Sequence, residues 1–308
     1  MGEGAEVSSD ELTAFPLGET EMWVQNAVLA EVRERLPFEV GETLRPGADT
    51  RRVIVVGGGT LLDGVKGWWA DHRPDLELIA VPSIWGSGAE VSPIVVRTVD
   101  GRKSVRVGEE FVPTRVAYLP ELSSLVPPDR AISACGDCWS HALEGFLSPL
   151  ASVELRKEIA RLIAEMLAVE PGNSPEWFRL SSRACRAQSQ SSVGLVHGFA
   201  HVLEGPLSKA RTDEYWGHAA LCSLFLRPVL DFDCEEGQKA LKLFEDYSID
   251  LDRVLRVASE LHDPSAYETV VPFLEEHWNA ILRDQCSRTN VRLVRRSHID
   301  FFRDWRKH

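Results

Sequence analysis

Long apolar runs are missing from this chain: no stretch approaches the ~18 residues that a membrane-spanning helix needs. The opening residues, MGEGAEVSSDELTAF, are acidic and polar where a secretory leader would be basic and then apolar. Together these lead us to expect a soluble, cytoplasmic protein without a membrane partner. Surplus positive charge is absent as well. The chain has 34 Lys and Arg against 47 Asp and Glu, a net charge of −13, which argues against a surface that tracks nucleic-acid phosphates. The locally basic stretch RTNVRLVRRSHIDFFRDWRKH reads instead as an amphipathic terminal helix. Internal repeats and low-complexity runs are lacking. The six cysteines (Cys135, Cys138, Cys185, Cys222, Cys234, Cys286) are scattered through a chain with 44% apolar residues, which does not look like a disulfide framework. Cys135 and Cys138 form a lone CxxC, a weak zinc signal by itself, read here as packing at the start of a helix.

With 308 residues there is room for two domains. Residues 1–20 look loosely attached, and MWVQNAVLAEVRERL has apolar residues at helical spacing. The pattern then changes to short Val- and Ile-rich runs bounded by Gly and Pro, namely RRVIVVGGGT, LELIAVPS, SPIVVRT and TRVAYLP, which read as strands. LLDGVKGWWADH, between the first two, is a plausible crossover helix, and a strand, a glycine turn, a helix and a strand make a βαβ unit with ligand at the carboxyl ends of a parallel sheet. Beyond about residue 121 the pattern is almost wholly helical. The expected architecture is an α/β domain over 1–120 with a truncated, Rossmann-like parallel sheet, then an all-α domain over 121–308 that faces the glycine turn across a cleft.

Two pairs of metal-type side chains stand out in the helical part: Asp137 and His141 in GDCWSHALE, and His197 and His201 in VHGFAHVLEG. At i, i+4 spacing each pair lies on one helix face, so two packed helices could direct up to four donors at one ion. Chance spacing and dipole compensation explain either pair alone about as well, but both lie among small and apolar residues, where buried Asp and His need partners. In VIVVGGGTLLDGVK, Gly57, Gly58 and Gly59 follow a strand and open a helix, where bare backbone and helix N–H groups can meet a phosphate and Thr60 can add a hydroxyl. The second turn, VPSIWGSGAEVSP, carries Ser83 and Ser87 and can hold a second ligand fragment.

These blocks resemble the iron-containing alcohol dehydrogenase family, within the wider dehydroquinate synthase-like superfamily. GGGTLLDGVK is similar to its GGGSxxDxxK segment and VPSIWGSGAEVSP to its PTTxGTGSEVT loop; YLPEL, GDCWSHALE and VHGFAHVLEG follow in family order. The resemblance spans roughly residues 53–230. It implies NAD(H) or NADP(H) with its diphosphate on Gly57 to Thr60, and Asp63, Ser83 and Ser87 near the cofactor. It also implies Fe2+ or Zn2+ held by one Asp and three His. By position, Asp137, His141 and His197 fall on three of those ligands, and His201 on the additional active-site histidine that relays protons. Glu144, one turn after His141, is a candidate to orient that imidazole.

The pattern breaks in three places. Trp216 stands where the fourth ligand should be, leaving His218, Asp213 or Glu214 as substitutes, or a three-ligand site. Only 52 residues precede the strand before the glycine turn, no clear first nucleotide strand appears among them, and Glu42 and Asp49 are the acids nearest to a ribose-reading position. Trp85 replaces a small residue and would intrude on space that nicotinamide or substrate normally fills. Three functions follow: a metal-dependent NAD(P)-linked alcohol dehydrogenase or aldehyde reductase for a small polar substrate, for which a homodimer would complete the shortened nucleotide domain; a redox-silent lyase, isomerase or cyclase with a decayed dinucleotide site; or a non-catalytic relative.

Overall fold

The computed structural model describes residues 5–41, 45–99, 102–211, 216–235 and 237–305. It divides into two compact units, Met1–Pro127 with Asn173–Ser182, and Pro128–Gly172 with Arg183–His308. In chain order the first contains β1 (Ala5–Val7), α1 (Ser9–Thr13), β2 (Thr20–Val24), α2 (Leu29–Arg35), β3 (Glu39–Val40), β4 (Arg52–Gly57), α3 (Gly59–His72), β5 (Glu77–Pro82), β6 (Ile94–Val99), β7 (Arg102–Val107) and β8 (Arg115–Ala117).

Among the described residues, six strands make one sheet in the order β1-β8-β5-β4-β2-β3, parallel at every junction. Val53 to Val56 on β4 and Leu78 to Val81 on β5 are all buried, as expected of central strands covered on both faces. Helix α3 crosses from β4 to β5 and packs Leu62, Val65 and Trp69 onto Val53, Val55, Leu78 and Ala80. β6 and β7 form a separate antiparallel hairpin.

Two expectations for the first 52 residues are corrected. Residues 5–20 are attached, with β1 paired to β8, Ser8 capping α1 and Leu12 fully buried. The stretch from Met22 is not one helix: Met22 to Val24 extend as β2 along β4, and the helix is confined to Leu29–Arg35. Strands therefore do precede the glycine turn, although β3 has only two residues.

The second unit is helical: α4 (Pro128–Leu147), α5 (Val153–Met166), the latter part of α6 (Glu176–Gln188), α7 (Leu195–Ala210), α8 (His218–Asp233), α9 (Lys239–Asp246), α10 (Leu251–Leu261), α11 (Pro264–Ile281), α12 (Gln285–Arg288) and α13 (Ile299–Asp304). The C-terminal stretch is broken into α12 and α13 rather than forming one terminal helix. Helix α4 is the axis of this unit, with every residue from Ala134 to Leu147 buried, including Cys135 and Cys138. A helix buried all round needs small residues where a neighbour crosses it. Gly136 supplies one: a Cβ there would lie 2.5 Å from the Ser223 Cα on α8. The backbones of α4 and α8 thus touch beside Asp137 and Cys222.

Gly136→Ala is expected to lower unfolding free energy by about 1–3 kcal/mol in urea titrations, because the added carbon meets backbone that cannot rotate away. Gly64→Ala, on α3 with nothing within 4 Å of the new carbon, is expected to gain about 0.5–1 kcal/mol.

Candidate metal centre

Three helices of the second unit bring side chains to one buried point. α4 contributes Asp137 and His141, α7 His197, and α8 His218, its first residue. Asp137 Oδ1 lies 3.6 Å from His141 Nδ1, 3.7 Å from His197 Nε2 and 3.9 Å from His218 Nε2. The Nε2 atoms of His141 and His197 are 3.2 Å apart. Donors about 2.0–2.3 Å from a common tetrahedral ion stand about 3.3–3.6 Å from each other, and the distances of Asp137 Oδ1 to His197 and His218 come close to that spacing; His141 faces Asp137 with Nδ1 and His197 with Nε2, so only one of its two contacts can be a ligand-to-ligand distance. Asp137 is 2% exposed, and its Oδ1 accepts no hydrogen bond among the described residues. A buried carboxylate oxygen without a donor is costly, and a divalent ion satisfies it. The donor set therefore fits the metal that the sequence resemblance implies.

Glu144 sets the chemistry of His197. Its Oε2 lies 2.6 Å from His197 Nδ1, and its Oε1 accepts the Val196 amide at 2.6 Å, at the N-terminus of α7 where helix amides favour negative charge. The Nδ1 proton is thereby held on the Glu144 side and the Nε2 lone pair is left facing Asp137. Burial pushes the His197 imidazole well below its usual value, with His141 and His201 adding to the effect, so the ring is neutral, as a ligand must be. Burial likewise pushes Glu144 up to about 7, against the amides of Gly194 and Val196 that favour its charge. The sequence suggested that Glu144 orients His141; it orients His197, 53 positions along the chain.

His201 stands apart from this knot. It is exposed, its ring lies nearly parallel to His218 at 5.4 Å between centroids, and its Nδ1 is 3.5 Å from Asp284 Oδ2 and 3.7 Å from Cys286 Sγ. Trp216 is buried, and His218, two positions later, is the residue near Asp137. Asp213 and Glu214 lie outside the described residues, as does Glu42; Asp49 is exposed. Sequence reading missed Cys222, on α8 one turn beyond His218. Its sulfur lies 3.6 Å from His218 Nε2, and burial pushes the thiol well up.

In the first unit, Gly58 precedes α3 without a side-chain cap, so Gly59 and Thr60 open the helix with their amides. The Gly58 amide itself donates to Gln25 Oε1 at 2.9 Å. A Cβ on Gly59 would lie 2.8 Å from Ser87 Oγ, which puts the two small-residue loops in contact, and Ser87 is exposed there. Ser83 is buried, its amide bonded to the Gly57 carbonyl at 3.0 Å. The second loop turns through Gly86 and Gly88, at φ of 107° and 58°, values that side chains disfavour. Asp63 uses one oxygen for Lys66 Nζ at 3.2 Å and the other for the Val96 amide at 3.0 Å. Trp85 packs edge-on against Phe178 and is 3% exposed, a core position rather than an intrusion into open space.

His197→Ala is expected to abolish retention of zinc or iron, read by elemental analysis after gel filtration. Glu144→Gln keeps the volume and loses the charge, and should weaken metal affinity by about 10–100-fold; unchanged affinity would show that Glu144 only caps α7.

No protein-family model matches the chain. It is 33% identical over 168 residues to the 1-propanol dehydrogenase PduQ of Salmonella typhimurium, 50% of this chain and 45% of that protein. The chain spans about half the length of the curated relatives it matches first, 45% and 55% for the Salmonella and Citrobacter freundii proteins. An iron-containing alcohol dehydrogenase from Corynebacterium glutamicum has the same fold, with a TM-score of 0.75 at 17% identity over 92% of this chain and 86% of that one. So does a sulfoacetaldehyde reductase from Bifidobacterium kashiwanohense solved with NAD+, with a TM-score of 0.67 at 16% identity over 98% and 96%. The chain is thus related in sequence, over about half its length, to a 1-propanol dehydrogenase, and it shares the fold of an iron-containing alcohol dehydrogenase.

Proposed function

We propose that the chain is a metal-dependent, NAD(P)-linked alcohol dehydrogenase or aldehyde reductase acting on a small polar substrate. The observation that carries this reading is the buried Asp137 oxygen without a hydrogen bond, with imidazole nitrogens at 3.6, 3.7 and 3.9 Å. When bound, the ion would supply Lewis-acid polarisation of a substrate oxygen and a nicotinamide cofactor would supply hydride chemistry. The protein's part is positioning and proton management. Asp137, His141, His197 and His218 would hold the ion, and Glu144 keeps the His197 proton on Nδ1. His201, exposed and paired through Nδ1 with Asp284, exchanges the substrate hydroxyl proton with solvent. On the first unit, the amides of Gly59 and Thr60 at the start of α3 bind the cofactor diphosphate, with Ser87 beside them. Gly57 and Gly58 keep that approach bare, whereas Asp63 and Ser83 act behind it by holding the hairpin and the second loop.

This reading is supported by the relatives, among them a 1-propanol dehydrogenase and a maleylacetate reductase, and by a neighbour in fold solved with NAD+. The strands β2 and β3 ahead of the glycine turn also favour it over a decayed dinucleotide site.

Fluorescence titration of the metal-loaded protein with NADH and NADPH should give saturable binding, and Gly58→Val should weaken it without changing metal content. His201→Ala should retain metal and bind the dinucleotide while losing about 10²-fold or more in kcat. Metal retention with no dinucleotide binding would overturn the redox reading.

A further inference from the structure

Each helix that builds the centre carries two donor-type residues one turn apart: Asp137 and His141 on α4, His197 and His201 on α7, and His218 and Cys222 on α8. The third pair has no counterpart in the motifs that identify the family. Building on the metal-centre reading, we propose that Cys222 is a ligand of the same ion, so that the centre contains a thiolate and is a zinc-class site.

Three observations carry the assignment. Donor atoms of Asp137, His197, His218 and Cys222 all lie within 4.8 Å of one another, close enough to share one ion when some of them stand on opposite sides of it. The sulfur is fully buried, 3.6 Å from His218 Nε2, and it lies within 4.8 Å of a carboxylate oxygen of Asp137, the group that anchors the cluster. Finally, the position is imposed by the backbone. Gly136 and Ser223 come into close approach where α4 crosses α8, and their chain neighbours Asp137 and Cys222 place donor atoms within 4.8 Å of each other.

Metal binding at Cys222 breaks the S–H bond, forms a sulfur–metal bond and releases one proton to solvent, with no change in oxidation state. A thiolate beside imidazoles and a single carboxylate favours zinc and disfavours hard, oxygen-seeking ions such as magnesium. The donor count also answers the substitution at Trp216: with His218 and Cys222 on α8, the helix supplies two donors where the family pattern calls for one.

Cobalt(II) loaded into the metal-free protein tests the assignment without recourse to activity. One bound cobalt per chain should give a near-ultraviolet thiolate-to-cobalt charge-transfer band. Cys222→Ser should bind cobalt but lose the band, and should bind zinc at least about tenfold more weakly. Cys234→Ser and Cys286→Ser should keep the band, since Cys234 caps the far end of α8 and Cys286 groups with His201 and Asp284. Stoichiometric cobalt without the band, or a band that survives Cys222→Ser, overturns the thiolate while leaving the metal centre standing. Failure to bind cobalt at all overturns both. Should Cys222→Ser fold poorly, alkylation of the native protein decides: zinc should protect Cys222 from modification, read by peptide mass, and modification of Cys222 at the same rate with and without zinc refutes the proposal.

Discussion

A carboxylate oxygen buried where helices meet, accepting no hydrogen bond, organises everything around it. Asp137 Oδ1 is held there by geometry that the backbone enforces, since α4 and α8 are in contact at Gly136 and Ser223. Left alone, such a group costs several kcal/mol. The surrounding residues are arranged as a consequence. His197 is kept neutral by burial and fixed by Glu144, which is itself pinned by the first amides of α7. The result is a set of lone pairs converging on one volume, with the compensating protons turned outward.

Much of this was legible in the chain. The β4 and β5 runs read as strands because both faces of a central parallel strand are buried, which leaves an unbroken apolar stretch. Asp137, His141 and His197 were legible because i, i+4 spacing on a helix converts directly into a shared face. What escaped has physical reasons. β1 and β3 have three and two residues, too few for any periodicity to register. Met22 to Val24 run straight into the helical pattern of Leu29–Arg35, so a period of two was hidden inside a period near 3.6. The C-terminal stretch has the composition of one amphipathic helix, but Trp278 Nε1 and Tyr267 Oη bond to the carbonyls of Arg296 and Phe302, and those tertiary contacts accompany a broken path.

The site itself was readable in its local pairs and unreadable in its long-range ones. Glu144 is three residues from His141, which made that imidazole the natural partner; the actual partner arrives from 53 positions away because α7 starts against α4. With Trp216 in the expected slot of the motif, the sequence leaves His218 as one of several substitutes; helix α8 begins at His218 and brings its ring to Asp137. Cys222 was dismissed with the other scattered cysteines, although its spacing from His218 repeats the signal that had singled out the first two pairs.

Lys66 has a bearing on motion. It is 1% exposed, and its ammonium donates to the carbonyls of Ala89 and Ile94, each at 2.8 Å. The first carbonyl lies within the second small-residue loop, and the helix that carries Lys66 is the one opened by Gly59. One buried cation therefore rivets both loops to a single rod. A displacement at either rim would be transmitted to the other, so the floor of the cradle is expected to shift as a unit or not at all.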